Sequence, residues 1–557
     1  MYKDISSATK SLGVMPMVKH YISELKLYDI FRKHIPMKPN EKLEPAQVLS
    51  MMLLNIICAS RPLYRVQEWL TDYTDGISEK DIYAAQYNDD RLGRNLDKLF
   101  KADRSSMLTE LSANAIKLHN LQTNDIHNDS TSVTFTGEYE NSNQANVKLA
   151  RGFNKDHRPD CKQIVFGLNI TSDGNVPLSF QLFDGNKTDD KTHIPNWDEL
   201  RKLIEKEDFI YIADCKLCCI ENLNHIHTNG GIFITIVPKN RKEIKAFHKQ
   251  IQEADVEWED AMVVDHSRKK GKKIIYRTFE QDKTQEGYRI IWVHSSSKKE
   301  QDKKRREHAI EKSHEQLTAI SQKLNKYKLK TKEQIEAAIK NACRGASSLF
   351  DIDLIEEKKT KKKQITPGRP GPNTLYKKTQ VISFKLEFAI NDEAVAKASR
   401  TDGIFPLITN SSDMPAVEIL RKYKNQPYLE KRMYTAKSIL KVAPVFLESP
   451  RRIEAMLFLY FIALMIVGLI ERNIRKEMKS DEIEKLPILP SGMKTKTPTW
   501  NNVNNYFRNV HLSIISKGEM VLSSTIKGLT DVHYDLLNFL GVPAIVYQDV
   551  KDQWWLF

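Results

Sequence analysis

A chain of 557 residues exceeds what a single hydrophobic core usually organises, so two or three domains are expected. With 40% hydrophobic residues, 21 Gly and 21 Pro, it is neither collagen-like nor largely disordered. The formal charge of +14 suits a polyanionic partner, either nucleic acid or an anionic membrane; a merely basic soluble protein is the alternative. Six cysteines over this length make no disulfide framework. No charged segment followed by an apolar one opens the chain, so no secretory signal is expected. The longest apolar run, Ala455 to Ile470, falls short of the ~20 residues a bilayer span needs. It reads as a buried core helix, and a cytoplasmic protein without a membrane partner is expected.

Residues 1–120 read as helical throughout and as a separate N-terminal bundle. Leu92, Leu96, Leu99 and Phe100 recur on one helical face. Pro45 opens the apolar helix AQVLSMMLLNIICA, where a first-turn proline is welcome. The pattern changes at Ile126. IHNDSTSVTF, QIVFGLNIT and VPLSFQLF are rich in β-formers, and Ser172-Asp173-Gly174-Asn175 joins the last two as a hairpin turn. An antiparallel meander is predicted, then a helix near 194–204. FIYIAD (209–214) and IFITIV (232–237) follow as continuous apolar strands covered on both faces.

Residues 121–240 thus read as the first part of an α/β core with a mixed sheet. Residues 241–395 read as an insertion with short strands (KKIIYRTF, YRIIWVH, QVISFKLEFAI), a charged helical arm from Lys298 to about Tyr327, and a basic linker at Lys358–Lys363 leading into TPGRPGPNT. IFPLITN (404–410) resumes the strand pattern, and 396–480 reads as the second part of the core, with helices from about Ala416. Residues 481–557 read as a C-terminal helical tail.

Three acidic positions stand out. Asp129 lies within a strand run, where an unpaired buried carboxylate is costly. Asp214 ends a buried strand, the place where open α/β sheets hold ligands. Two such carboxylates could hold a hard divalent cation; turn or helix capping is the alternative for each. In YKNQPYLEKRMYTAK, Tyr423, Gln426, Glu430 and Lys437 share one helical stripe, although Pro427 puts Tyr423 on a preceding turn. A solvated charged helix is the alternative there. Cys215, Cys218 and Cys219 lack a second pair at zinc-like spacing, and His193 reads as structural rather than catalytic.

The segments IHNDSTSVTFTGEY, GFNKDHRPDCKQIVFGLNITSDGNVPLSF, DGNKTDDKTH, IYIADCKL and YKNQPYLEKRMYTAKS, in this order across about 125–440, resemble bacterial insertion-sequence transposases of the DDE type. The resemblance is to the IS-four superfamily, marked by a Tyr-Arg-Glu-Lys motif, and within it to the IS-sixteen-thirty-four branch. RPLYRVQEWL and NDDRLGRNLDKLF resemble the domain that precedes the core in that branch.

The resemblance implies an RNase H-like (retroviral integrase-like) catalytic core interrupted by a β-containing insertion domain. It assigns catalysis and metal binding to Asp129, Asp214 and Glu430, with two Mg²⁺ ions per site and Mn²⁺ as a substitute. It places Tyr423, Gln426 and Lys437 on DNA; the family's arginine is Gln426 here, which removes a charged bidentate contact. Arg369 in Gly368-Arg369-Pro370 suits a minor-groove arm, with a flexible basic linker as the alternative.

The implied activity is cleavage at the element's terminal inverted repeats and joining of the 3′ ends to target DNA. The partners would be double-stranded DNA and further copies of the chain, a homodimer or higher in the synaptic complex. The helical N-terminal domain is expected to recognise the ends. An inactive transposon-derived DNA-binding protein and a stand-alone RNase H-like nuclease are the rival readings.

Overall fold

The computed structural model describes residues 5–74, 84–137, 139, 145–266, 271–281, 283–365, 367–372, 374–441, 447–518 and 520–547. They fall into two compact units.

The first unit takes residues 1–235, 409–411 and 421–557. It opens with strand β1 (Ile5–Ser11) and continues through helices Met15–Glu24, Leu27–His34, Pro45–Cys58, Val66–Thr74, Asp89–Lys101 and Arg104–His119. Strands β2 (Asp125–Phe135), β3 (Lys162–Thr171) and β4 (Pro177–Phe183) then form the antiparallel meander. Gly174 at φ +76° and Asn175 at φ +60° make the β3–β4 turn, a backbone that favours these residue types. Helix His193–Ile204 leads to β5 (Ile210–Ile212), parallel to β2, and helix Ile220–Thr228 leads to β6 (Ile232–Ile236), parallel to β5. The spatial order is β4-β3-β2-β5-β6.

Helix Pro450–Ser480 runs through the centre of this unit. It packs on helices Pro45–Cys58 and Asp89–Lys101 and on β4. Its length and apolarity would suit a membrane span, yet that apolar window is wholly buried within the protein. One continuous core joins Met17, Phe31, Leu53 and Leu96 from the first helices to Phe166, Leu429, Phe461, Trp500 and Tyr547.

The second unit takes residues 236–408 and 412–420. Strands β7 (Glu259–Asp265), β8 (Lys273–Glu280) and β9 (Arg289–Ser295) form a meander. A long hairpin follows, β10 (Phe350–Gln364) with β11 (Tyr376–Ile390), and then β12 (Ile404–Thr409), which lies beside β9. Helices Ser296–Lys323 and Lys332–Ala342 grip the hairpin's root through Leu317, Ile335, Phe350, Phe384 and Leu386. The outer part stands in solvent as a free ribbon. From Lys358 to Ile382 it carries eight cationic and no acidic side chains, and Lys362 faces Lys378 while Lys363 faces Lys377 across the strands.

Back in the first unit, β13 (His511–Lys517) and β14 (Met520–Lys527) complete a sheet of order β1-β13-β14.

Several expectations are corrected. The N-terminal region is not all helix: β1 is a Ser/Thr-rich, mostly exposed edge strand whose partner lies some 500 residues away, so nothing local marks it. Nor is that region a separate bundle, because its helices bury their apolar faces against helix Pro450–Ser480. The C-terminal tail carries a hairpin besides its helices. The basic run is no linker but the outer half of a 15-residue strand, whose lysines hide the alternation that normally betrays one. The second compact unit, 236–408 with 412–420, takes in more of the chain than the 241–395 expected for the insertion.

Candidate active site

The parallel pairing of β2 with β5 sets two aspartates level. Asp125 pairs with Ile210, Ile126 with Tyr211 and His127 with Ile212; two residues further along each chain stand Asp129 and Asp214. Asp214 lies just past the carboxyl end of β5, where open α/β sheets present ligand sites, and Asp129 lies in mid-β2 just past the end of its parallel pairing. Each aspartate is held at its base. The Ser130 amide donates to Asp129 Oδ1 at 2.7 Å, and the Lys216 amide donates to Asp214 Oδ1 at 2.9 Å. The Thr235 hydroxyl donates to the Asp214 carbonyl at 2.6 Å.

The third element is broken in two, as Pro427 requires. Helix Ala416–Tyr423 ends at Tyr423, and helix Gln426–Tyr434 begins with proline in its first turn. Lys422 pairs with Asp125 at 2.7 Å. Leu429, Arg432 and Met433 are buried; Arg432 meets Glu471 at 2.7 Å and donates to the Asn175 carbonyl at 2.7 Å. The helix is thereby fixed on its inner side, and Glu430 is left exposed on the other. A π-helical turn, Thr435–Ile439, follows and carries Lys437.

Electrostatics tie these pieces together. Burial raises Asp129 to about 6, helped by the neighbouring charge of Asp214 and opposed by Lys155. Burial also raises Asp214. The Tyr423 phenol is pushed well above its ordinary value, first by burial and then by the charges of Asp214, Cys215, Asp129 and Glu430. All three predicted carboxylates therefore act on one tyrosine.

Two of the other predicted residues are engaged with partners in the protein. Gln426 is fully used within the protein: its Oε1 accepts from buried His127 Nδ1 at 3.0 Å and its Nε2 donates to the Asn128 carbonyl at 2.9 Å. Burial pushes His127 below its ordinary value. Lys437 donates to both Asp156 carboxylate oxygens, at 2.8 and 3.1 Å. Arg369 is exposed at the tip of the ribbon in the second unit. His193 is buried against the Tyr211 hydroxyl at 3.1 Å, and burial lowers it to about 4.

Sequence reasoning missed two neighbours of the aspartates. Lys155 Nζ donates to the Ser130 carbonyl at 2.5 Å and to Asp129 at 3.4 Å, and stands 3.8 Å from Asp189. Asp189 accepts from the Ser130 hydroxyl at 2.7 Å and contributes to raising Asp214. Both residues sit in quoted motifs, NKDHRPD and NKTDDKTH, but on loops whose folding back no periodicity reveals.

Among the described residues no three His, Cys, Asp or Glu side chains already stand at metal-ligand spacing. The donor chemistry nonetheless fits a hard divalent cation. Burial disfavours the ionised forms of Asp129 and Asp214, the charge of Asp214 adds to this at Asp129, and the Lys155 ammonium stands 3.4 Å from Asp129 and 3.8 Å from Asp189, a place for positive charge.

Comparison with known proteins identifies the family. Residues 124–466 match the family model described as Transposase DDE domain, and residues 7–113 match a domain of unknown function, DUF4277. No curated protein matches the chain. Among solved structures, a piggyBac transposase synaptic complex with hairpin DNA aligns over 97% of this chain and 84% of its own, at 9% identity and a TM-score of 0.37. So remote a likeness leaves the assignment to the family match, which covers more than half of the chain and begins at β2: the chain belongs to the Transposase DDE domain family.

Proposed function

We propose that this transposase belongs to the IS-sixteen-thirty-four branch of the IS-four superfamily, binds the terminal inverted repeats of its own element, cuts at their ends and joins the freed 3′ ends to target DNA. The observation that carries the reading is the level placement of Asp129 and Asp214 on parallel strands, with Glu430 acting on the same tyrosine. The strand order, a meander followed by two parallel strands, supports an RNase H-like core.

Asp129, Asp214 and Glu430 would hold two Mg²⁺ ions, or Mn²⁺ in their place; such ions activate a water or 3′-hydroxyl and stabilise the leaving oxygen. The chain's own residues do the rest. Asp189 and Ser130 orient the aspartate edge. Tyr423 offers its hydroxyl to DNA beside the carboxylates. Lys437, once on DNA, holds a phosphate as a point charge. Gln426 sets the helix rather than touching DNA. Arg369 and the ribbon lysines grip duplex DNA, since a two-stranded ribbon fits a major groove and arginine a narrow minor one.

The test is strand nicking of a terminal-repeat duplex with Mg²⁺. Asp129→Asn, Asp214→Asn and Glu430→Gln should each abolish nicking while specific binding persists. Undiminished nicking by any of them removes that residue from the site.

A further inference from the structure

Lys155 and Asp156 are consecutive, and each contacts one half of the proposed machinery. Lys155 Nζ reaches Asp129 at 3.4 Å and Asp189 at 3.8 Å, with the Ser130 hydroxyl at 3.3 Å. Asp156 takes both hydrogen bonds that Lys437 donates, at 2.8 and 3.1 Å. A cation thus sits among the carboxylates, and an anion sits on the lysine that would hold a phosphate.

The placement is built. Buried Asn154 accepts from the Asp156 amide at 2.8 Å and donates to the Thr134 hydroxyl at 3.0 Å. Thr134 in turn donates to Asp156 Oδ2 at 3.0 Å. The Lys155 amide donates to the Ser132 hydroxyl at 3.3 Å. Residues 154–156 are thereby pinned along β2, the strand that carries Asp129.

We propose that Lys155 and Asp156 are positioning residues that occupy the site before its substrates arrive, Lys155 standing where a divalent cation is needed and Asp156 standing where a DNA phosphate is needed. Without them, the assembled carboxylates would repel one another and Lys437 would lack a partner at the site. Cation and phosphate would then compete with adjacent residues of one loop. The inference rests on the proposed roles of Asp129, Asp214 and Lys437.

The experiment measures Mn²⁺ binding to the DNA-free full chain by the electron paramagnetic resonance of free Mn²⁺. Lys155→Met should bind about five- to tenfold more tightly than wild type, the scale of removing one competing charge. Lys155→Arg, which keeps the charge, should stay near wild type. The double variant Asp129→Asn/Asp214→Asn should lose the site. If the double variant binds like wild type, the metal-site reading and this inference fall together. If the double variant loses binding while Lys155→Met binds equally or more weakly, this inference alone falls.

A second arm reads DNA without metal. Asp156→Asn should tighten terminal-repeat binding about three- to tenfold, and Lys437→Ala added to it should abolish the gain. No gain from Asp156→Asn overturns the phosphate half, and this arm decides the matter should Lys155→Met fail to fold.

Discussion

At the residue scale, Asp129 holds its charge at a cost. Its folded value near 6 lies above its ordinary 3.8, so the folded state binds that proton more tightly than the unfolded one. The associated stability is fully present below about pH 4 and is lost as pH rises through 6. Asp129→Asn should therefore raise the melting temperature of metal-free protein at pH 8, by an amount worth up to about 3 kcal/mol. At pH 4.5 the gain should shrink to about a third of that, roughly 1 kcal/mol. An equal gain at both pH values, read by calorimetry, would show that charge is not its source.

Gln426 revises an expectation at the same scale. Restoring the family's arginine looks harmless from the sequence, because that side chain is expected on DNA. In the structure its amide satisfies buried His127 and the Asn128 carbonyl. Gln426→Ala should cost about 1–3 kcal/mol through the groups left unpaired, and Gln426→Arg should destabilise as well by pressing a cation on buried His127. Denaturant midpoints decide this; a neutral Gln426→Arg would mean the arginine finds DNA-facing space instead. The aspartates are legible in the sequence because charge inside a β-rich run is conspicuous. The bonds of Gln426 are not, since its partners lie some 300 residues away in sequence.

Among elements, the legible ones are those whose residues announce their period. β2 to β6 are rich in Val, Ile, Phe and Thr, and the break at Pro427 is where proline ends a helix. The π-helical turn that carries Lys437 has no such signature, and counting at 100° per residue does not anticipate it.

The ribbon escapes a sequence reading because its six strand residues from 358 to 363 include five lysines, poor β-formers. Lysines directly opposed across strands weaken a hairpin, and a polyanion laid along it would relieve that repulsion. Replacing residues 358–382 with a tight turn should weaken duplex binding and flatten the dependence of log K on log salt by about 0.9 for each phosphate no longer neutralised. An unchanged salt slope, measured by fluorescence anisotropy, would free the ribbon from any role on DNA.

For the whole molecule, the shared core changes what deletion can test. Removing residues 1–120 to ask whether they recognise the element's ends would strip Leu53, Leu96 and their neighbours from helix Pro450–Ser480. The truncated protein should lose cooperative unfolding and bind a hydrophobic dye, as states with exposed cores do. A sharp thermal transition in that fragment would restore the separate-bundle view. Recognition is better probed by charge changes on the exposed faces of the first helices, such as Lys33→Glu or Arg94→Glu, which leave the core intact.

The central position of helix Pro450–Ser480 also has a temporal side. The first six helices end at His119, and the helix that covers them starts about 330 residues later. At roughly 5–20 residues per second, a ribosome needs on the order of 15 s to a minute to make the intervening chain. For that interval Leu53, Leu96 and their neighbours are without their cover, close to the ribosome that is still translating. Maturation of the enzyme is therefore governed by a clock set by elongation, and slowing translation between residues 120 and 450 should lengthen the period in which the nascent chain needs chaperone protection.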